Sequence, residues 1–437
     1  MKSSLSAIAL LALAGTSLAQ ENKGASVAPP AKDNSVEAEL ASFQIAEGYE
    51  VSLFASEKDG IANPIAMRWG PRGRLWVLCT LAYPQLVPTD QPGDKLYILE
   101  DADHDGRADK VSIFADNLNM PTGFALGNGG VYLGEGADLV FLTDRDGDGR
   151  ADQREVIFTG FGTGDTHQNI NSLTWSPGGE LFFCQGLHCF SRVQTPWGIA
   201  RLDEHGSWRL RPLRRQLHSY RRTSGGGNPW GYCWDDWGEP FIKSNGSGVS
   251  ELLPGLVSTE HIEGGYWGGA MKIGATRIKS MIIEIVDSPH LPDDLQGDFL
   301  IAGYYARNIA RLRPSTDGSG HKLQTLKPLL TSTHNAFRPV DIQTGPDGAL
   351  YVVDMYRQLI EGAAFVPRNA LEALDPSLGT NPTAFKNPHI QRALEKIWAG
   401  IAGPHWLLRD SVYTLHGCTL WDQGATFTLS NRNTQPV

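Results

Sequence analysis

The sequence predicts an all-β protein, a six-bladed β-propeller with a short, partly helical C-terminal extension. Three observations predict this fold: a strand-turn-strand pattern that occurs six times, turns rich in Gly and Pro, and an aromatic residue that ends each unit. The aromatic residues are Trp76, Tyr132, Phe182, Phe241, Phe299 and Tyr351. One blade cannot bury both of its apolar faces, so six such units favour a closed ring.

The N-terminus has the pattern of an export signal. Lys2 gives a positive start, an apolar run follows from Ile8 to Ala14, and Ser17-Leu18-Ala19 forms a small-residue cleavage site. We expect residues 1–19 to be a signal peptide and residues 20–40 to be a flexible lead-in. The apolar run is too short for a permanent membrane span, so we expect a periplasmic or extracellular protein without stable membrane insertion.

The propeller is expected to occupy residues 41–356. Its first unit runs from Asn63-Pro64 through Gly70-Pro71 to Trp76, and a weaker one ends at Phe299. The other units begin at Met120-Pro121, Asn169, Asn228-Pro229 and Arg338-Pro339. The pattern changes after Asp354, so residues 357–437 form the extension, with one amphipathic helix at about 387–401.

Charge and cysteine content exclude several function classes. A formal net charge of −10 argues against nucleic-acid binding, which depends on clustered Lys and Arg. The basic run from Arg209 to Arg222 is an exception that fits either a solvated loop or a site for an acidic partner. The five cysteines show no Cys-x-x-Cys spacing, which argues against covalently attached haem. Cys184 and Cys189 could form a local disulfide or remain buried thiols.

Two acidic loops predict calcium sites. Carboxylates at alternate positions, followed by a glycine that permits a sharp turn, place several oxygen ligands around one point. The predicted ligands are Asp101, Asp103, Asp105 and Asp109 in the first loop, and Asp144, Asp146, Asp148, Asp152 and Glu155 in the second. The alternative is a pair of polar hairpin turns. Each loop follows a predicted strand, at 96–99 and 139–142, and we expect a structural role.

Candidate functional residues follow from the symmetry of a propeller. The first strand of each blade lines the channel, so residues just before equivalent strands converge near the axis. This selects His167, Asn169, Asn228 and Arg338. His167 could act as a general base, and Arg338 could hold an anion or polarise a carbonyl oxygen. Alternatively, His167 caps a loop and Arg338 pairs with Asp341 or Asp165.

A glycine and aromatic loop supplies a further candidate for substrate binding. His261 precedes a segment that contains Trp267 between pairs of glycines. The indole ring could stack on a sugar ring above the channel. Both residues are therefore candidate substrate contacts.

The stretch from about residue 41 to 356 resembles the propeller domain of planctomycete and verrucomicrobial exported proteins labelled as membrane-bound dehydrogenases. It looks more distantly like the soluble glucose and sorbosone dehydrogenases that use pyrroloquinoline quinone. The resemblance is carried by Asp165-Thr166-His167-Gln168, Asn228-Pro229-Trp230-Gly231 and Phe337-Arg338-Pro339-Val340-Asp341.

The resemblance implies roles for individual residues. In the sugar dehydrogenases the residue that matches His167 removes the hydroxyl proton while hydride passes to the quinone. The matching Asn and Arg contact the quinone, which implies Asn228 and Arg338, and Asn169 is a further cofactor contact that we expect. A calcium ion polarises the quinone there. Gly227 departs from the family pattern, in which Arg precedes the Asn-Pro pair.

The sequence therefore predicts an exported quinone-dependent dehydrogenase that oxidises a small sugar or alcohol. It would pass electrons to an external acceptor such as a cytochrome c. The alternative is a non-catalytic, calcium-stabilised propeller that binds carbohydrate or protein. A calcium-stabilised hydrolase would need several acidic side chains around the axis.

Overall fold

The computed structural model describes residues 33–83, 91–221, 223, 227–244, 248–252, 270–275 and 279–356. These residues form strands and turns almost throughout, with one short helix, α1 (Val36–Ala41), and four single-turn 3₁₀ segments. Ser35 caps α1, because its Oγ accepts a hydrogen bond of 3.2 Å from the Ala38 N–H. Most of the lead-in predicted at residues 20–40 lies outside the described residues, and α1 covers its last part.

Four blades are antiparallel sheets with their four strands in sequence order. Blade 1 contains β2 (Pro64–Trp69), β3 (Leu75–Cys79), β4 (Asp94–Glu100) and β5 (Lys110–Leu118). Blade 2 contains β6 (Pro121–Gly127), β7 (Gly130–Glu135), β8 (Asp138–Thr143) and β9 (Gln153–Thr159). Blade 3 contains β10 (Asn171–Trp175), β11 (Leu181–Gln185), β14 (Gly206–Arg211) and β15 (Gln216–Arg221), with a hairpin of β12 (Phe190–Thr195) and β13 (Gly198–Asp203) inserted. Blade 4 contains β16 (Pro229–Trp234), β17 (Pro240–Ser244), β18 (Gly248–Leu252) and β19 (Ala270–Gly274).

Blade 5 combines distant parts of the chain. Its strands are β20 (Met281–Ile285), β21 (Phe299–Gly303), β22 (Asn308–Asp317), β23 (Gly320–Thr325) and β24 (Leu330–Ser332), together with β1 (Phe43–Ile45). The N-terminal strand β1 pairs with β24, with Phe43 opposite Ser332. The segment that precedes blade 1 is therefore held by the last complete blade.

The sixth position of the ring holds only two strands within the described residues, β25 (Pro339–Thr344) and β26 (Leu350–Asp354). The arrangement is thus propeller-like with five blades, and the expectation of six complete blades is not met. The two-stranded sheet packs between blade 5 and blade 1, because β25 contacts both β20 and β2. The remaining inner strands touch in the order β2, β6, β10, β16 and β20.

The inner strands run in one direction along the axis and share one irregularity. We call the end at which they begin the mouth and the opposite end the base. Each inner strand has a register shift just after its start, for example between Pro64 and Ala66 in β2 and between Pro339 and Asp341 in β25. The same bulge in all six inner strands supports their rotational equivalence.

The core lies between neighbouring sheets. Between blades 2 and 3, Leu139, Phe161, Phe183 and Trp208 pack in one apolar cluster, and Trp208 is completely buried. Burying a side chain of this kind contributes about 1.5–3 kcal/mol, so the faces between blades are the main source of stability. This packing explains the repeat, since each face needs a neighbour.

Several predictions concern residues outside the described part of the chain. They are the signal peptide at 1–19, the helix at about 387–401 and the substrate loop with His261 and Trp267. Among the described residues, no helix is both long and apolar enough to cross a membrane. Cys184 and Cys189 are separate buried thiols, so the local disulfide is not formed.

Candidate functional site

The mouth contains a histidine and carboxylate pair. A 3₁₀ turn, Thr166–Gln168, follows Asp165 and presents His167 just before β10. The His167 Nδ1 lies 2.8 Å from the Asp165 carboxylate, and both side chains are largely buried. Burial alone would raise the pKa of Asp165, but nearby His167 and Lys279 bring it below its ordinary value. Asp165 therefore stays ionised beside the imidazole.

Trp230 from blade 4 fixes the orientation of His167. The two rings are nearly parallel, with 13° between their planes and 6.0 Å between their centroids. Trp230 follows the Asn228-Pro229 pair at the start of β16. Residues from two blades that are remote in sequence thus meet at the mouth, as the symmetry argument predicts.

Lys279 is a site residue that the sequence analysis missed. Its Nζ lies 5.9 Å from the ring centroids of Trp230 and Tyr304 and 5.6 Å from that of Tyr305, a distance typical of cation–π contacts. The side chain is buried, and its positive charge lowers the pKa of Asp165. Lys279 precedes β20 as Arg338 precedes β25, so the equivalence of inner strands could have identified it.

Arg338 lies at the same end of the ring but is turned into the protein. It is 1% exposed, and its Nη1 donates to the carbonyl oxygens of Tyr304 at 3.2 Å and Phe337 at 3.3 Å. Burial lowers the pKa of its guanidinium, and Arg307 adds to the effect. Tyr304 links Arg338 to Lys279, which also contacts Trp230, the ring stacked on His167. Asp341, one suggested partner of Arg338, forms its ion pair with Arg68 instead.

The predicted asparagine positions differ in environment. Asn169 is fully buried, and neither its Nδ2 nor its Oδ1 has a hydrogen-bond partner among the described residues. The Nε1 of Trp230 and the Oδ1 of Asn63 are in the same situation. Buried polar atoms of this kind normally bond to protein, water or ligand, so the mouth has unmet capacity for a polar ligand. Asn228 is half-buried at the start of β16.

A steric constraint explains why position 227 holds a glycine where the sugar dehydrogenases have an arginine. A Cβ atom on Gly227 would lie 2.3 Å from Leu187 Cδ1, and the Gly227 carbonyl accepts a hydrogen bond of 2.9 Å from the Leu187 N–H. Leu187 therefore fills the space in which a side chain at position 227 would begin. The cation at the mouth comes from blade 5, as Lys279, rather than from position 227.

A carboxyl pair lies behind Arg338. Burial, followed by the neighbouring Asp354, raises the pKa of Glu39 on α1 to about 10. The Asp354 Oδ1 accepts hydrogen bonds from the backbone N–H groups of Arg338 at 2.7 Å and Tyr356 at 2.9 Å. A protonated Glu39 that donates to Asp354 explains how two acidic side chains are tolerated together.

The acidic loops lie at the base of the ring, at the turns between the third and fourth strands of blades 1 and 2. Oxygens of three carboxylates lie within 4.8 Å of one another in each loop. The two clusters consist of Asp101, Asp103 and Asp109, and of Asp144, Asp146 and Asp148. Such oxygen sets suit calcium.

Some predicted ligands are not placed in these clusters. The carboxylates of Asp105 and Asp152 accept backbone N–H groups within their loops, at 2.8 Å from Arg107 and 3.2 Å from Arg145. Glu155 lies on β9, and its carboxylate contacts Arg215 of blade 3. The structure therefore does not bring Glu155 to the second cluster, because its side chain is engaged with the next blade.

The second loop also fastens blade 2 to blade 1. The Ala151 N–H donates to the Phe114 carbonyl at 2.7 Å, and Arg150 pairs with Asp116 at 3.0 Å. In the first loop, the Ala108 N–H donates to Phe54 O at 3.0 Å. These bonds give both loops a structural position, away from the mouth.

One family model and several solved structures are similar to this chain. A family model described as a domain of unknown function, DUF7133, matches residues 35–265 and 276–383. No curated protein sequence matches the chain. An oxidoreductase of Thermus thermophilus described as a glucose dehydrogenase is 18% identical, with a TM-score of 0.46 over 69% of this chain and 93% of that one.

Two further solved structures are similar at comparable levels. The pyrroloquinoline-quinone domain of a pyranose dehydrogenase from Coprinopsis cinerea is 12% identical, with a TM-score of 0.45 over 71% of this chain and 94% of that one. A virginiamycin B lyase of Staphylococcus aureus is 13% identical, with a TM-score of 0.39 over 71% and 82% of the two chains. The solved structures similar to this chain thus include proteins with different activities.

Proposed function

We propose that this chain, which belongs to the DUF7133 family, is a dehydrogenase-like protein that oxidises a hydroxyl group of a small molecule at the mouth of its channel. The observation that carries the proposal is the Asp165–His167 pair, held at 2.8 Å and stacked on Trp230. A base held by an ionised carboxylate is suited to remove a hydroxyl proton.

The geometry assigns each nitrogen of His167 a role. The contact of Nδ1 with ionised Asp165 favours the tautomer in which Nδ1 carries the hydrogen. Nε2 carries no hydrogen in that tautomer and would accept the proton of a substrate hydroxyl. Asp165 stabilises the imidazolium that forms, while the carbon that bears the hydroxyl gives up a hydride to an acceptor and becomes a carbonyl carbon.

The acceptor that we propose is pyrroloquinoline quinone, which supplies a site for the hydride when it is bound. Its carboxylates need cations and hydrogen-bond donors, and the mouth offers the Lys279 ammonium and the unpartnered amide of Asn169. Asn228 at the start of β16 would be a further contact. Arg338 would support the quinone site from the side that faces the protein interior, since its Nη1 is bonded to backbone carbonyls.

Further parts of this proposal concern the setting of the reaction. The substrate would be a sugar or alcohol, and the electrons would leave through an external acceptor such as a cytochrome c. Calcium would bind at the acidic loops and hold the blades together. We also propose export by the signal at residues 1–19, and a sixth blade of which β25 and β26 are the inner half.

A carbohydrate-binding propeller is the second candidate. It is favoured by Trp237 and Trp197, which are 93% and 68% exposed on the surface. Exposed indoles are common sugar platforms. This function needs no base, so it predicts that loss of His167 leaves glycan retention unchanged.

Dye reduction by the purified protein tests the first proposal. Protein loaded with pyrroloquinoline quinone and calcium should reduce a dye with at least one member of a sugar and alcohol panel. His167→Asn should lower the rate by about 100-fold or more while the quinone still binds, as followed by its absorbance. His290→Asn, a change at an exposed histidine of the base, is the matched control. A quinone-loaded protein without dye reduction, or equal rates for the two variants, contradicts the proposal.

A further inference from the structure

The channel contains a cavity at the base, at the end opposite His167. It has a volume of about 520 Å³ and is lined by residues of all six inner strands. Three of these residues are tryptophans at the ends of their strands, Trp69, Trp175 and Trp234. We call this space the basal cavity. Its volume lies within the range of ordinary small-molecule sites.

Of the described residues that line the basal cavity, two carry a charge, Arg68 and Glu284. The charge of Arg68 is already compensated. Its Nη1 lies 3.0 Å from buried Asp341 and 2.6 Å from the Met67 carbonyl, and its Nη2 donates to the Leu173 carbonyl at 3.1 Å. The guanidinium of Arg68 therefore connects β2 with β25 and has its charge balanced by Asp341.

Glu284 has no such compensation. Its Oε1 accepts two hydrogen bonds from Thr344, from the N–H at 3.2 Å and from the hydroxyl at 3.1 Å. The described residues provide neither an ion pair nor a hydrogen bond for its second oxygen. Glu284 keeps part of its surface accessible although it lies on an innermost strand, and it is one of the residues that line the cavity.

Burial raises the pKa of Glu284 to about 7. The titratable groups around it are Arg68 on β2, Asp341 on β25 and Cys233 on β16. Arg68 lowers the pKa of Glu284 and Asp341 raises it, so the two effects oppose each other. Burial holds the pKa of the Cys233 thiol well above its ordinary value, and it stays neutral.

We propose that the basal cavity binds a small organic cation, with its ammonium group at Glu284 and its apolar part against the three tryptophans. A desolvated carboxylate forms strong charge-assisted bonds with an ammonium group. Indole faces attract cations more strongly than other aromatic side chains do. A neutral sugar could also stack on the tryptophans, but it would leave the charge of Glu284 uncompensated.

Calorimetry with 2-phenylethylammonium and its neutral analogue 2-phenylethanol tests the proposal. The ammonium ligand should bind at pH 8, and the alcohol should bind at least about tenfold more weakly. The ligand, like lysine, stays protonated at pH 6 and pH 8, whereas Glu284 titrates between them. The affinity should therefore be about tenfold lower at pH 6.

Two variants separate the basal cavity from the rest of the surface. Glu284→Gln keeps the shape of the side chain and should abolish both the preference for the cation and the dependence on pH. Asp236→Asn removes one carboxylate from the exposed turn that follows Trp234, outside the cavity, and should bind as the wild type does. Equal affinities for the two ligands, unchanged binding by Glu284→Gln, or no binding at millimolar concentration would overturn the proposal.

Discussion

The closure of the ring can be tested at Asp341, which joins the two-stranded sheet to blade 1. Its Oδ2 accepts hydrogen bonds from the Met67 N–H at 2.9 Å and from Arg68 at 3.0 Å, and its Oδ1 accepts one from the Ile342 N–H at 2.9 Å. The side chain is 3% exposed. Asp341→Asn keeps the volume but removes the charge and one acceptor atom.

We expect Asp341→Asn to lower the free energy of unfolding by about 3 kcal/mol. Removing one partner of a buried pair costs about 3–5 kcal/mol, and the lower end applies because one amide oxygen remains and Arg68 is 15% exposed. For comparison, Lys110 pairs with Glu100 at 2.9 Å but is 65% exposed. Lys110→Ala should therefore cost less than about 1 kcal/mol.

Urea unfolding, followed by tryptophan fluorescence and by circular dichroism, measures both variants against the wild type. The double variant Arg68→Met/Asp341→Asn adds a direct measure of coupling. The loss of unfolding free energy in the double variant should be smaller than the sum of the two single losses by about 1 kcal/mol or more. Each single change leaves the other group buried without its partner, and the double change does not. If Asp341→Asn costs no more than Lys110→Ala, the contact between β25 and β2 does not hold the ring closed, and the reasoning fails.

Two further predictions concern protons and calcium. The pKa of Glu39 is raised to about 10 in the folded protein from an ordinary 4.5, so its contribution to stability is complete below about pH 4.5 and is lost as the pH rises to 10. Glu39→Gln should therefore melt at a higher temperature than the wild type at pH 8, and equal melting temperatures across pH 5–9 would contradict this. Calcium should raise the melting temperature of the wild type, and Asp144→Asn should reduce this gain while Asp317→Asn, at the exposed β22–β23 turn, keeps it. A gain that Asp144→Asn leaves intact would argue against a site in the second loop.

The repeat could be predicted from the sequence because it is local. All six aromatic residues used to count the units lie on the second strand of a sheet, from Trp76 on β3 to Tyr351 on β26. Tight turns and alternating apolar residues mark these hairpins directly. The outer strands are less regular, and β1 joins blade 5 from the other end of the chain. Strand pairing between residues that are far apart in the sequence leaves no local sequence pattern. The presence of only two described strands at the sixth position leaves none either.

The candidate site was only partly predictable for a related reason. His167 follows Asp165 in a turn before a strand, and this motif is visible in the sequence. Lys279 occupies the equivalent place before β20, but no Asn-Pro or Arg-Pro pair marks that strand. The orientation of Arg338 depends on Tyr304, which lies in the turn between β21 and β22 of blade 5, and sequence spacing contains no information about it.

The two ends of the channel differ in charge, and this difference constrains what each can bind. At the mouth, Lys279, Arg338 and Arg307 lie near Asp165 and Asp354, with Glu39 held neutral by its raised pKa. Buried Lys279 and the unpartnered amide of Asn169 favour an anionic group there, as a carboxylated quinone would offer. At the base, Arg68 and Asp341 cancel and Glu284 remains, which favours a cation. Opposite preferences at the two ends mean that a ligand suited to one is disfavoured at the other, so both sites can operate in one channel.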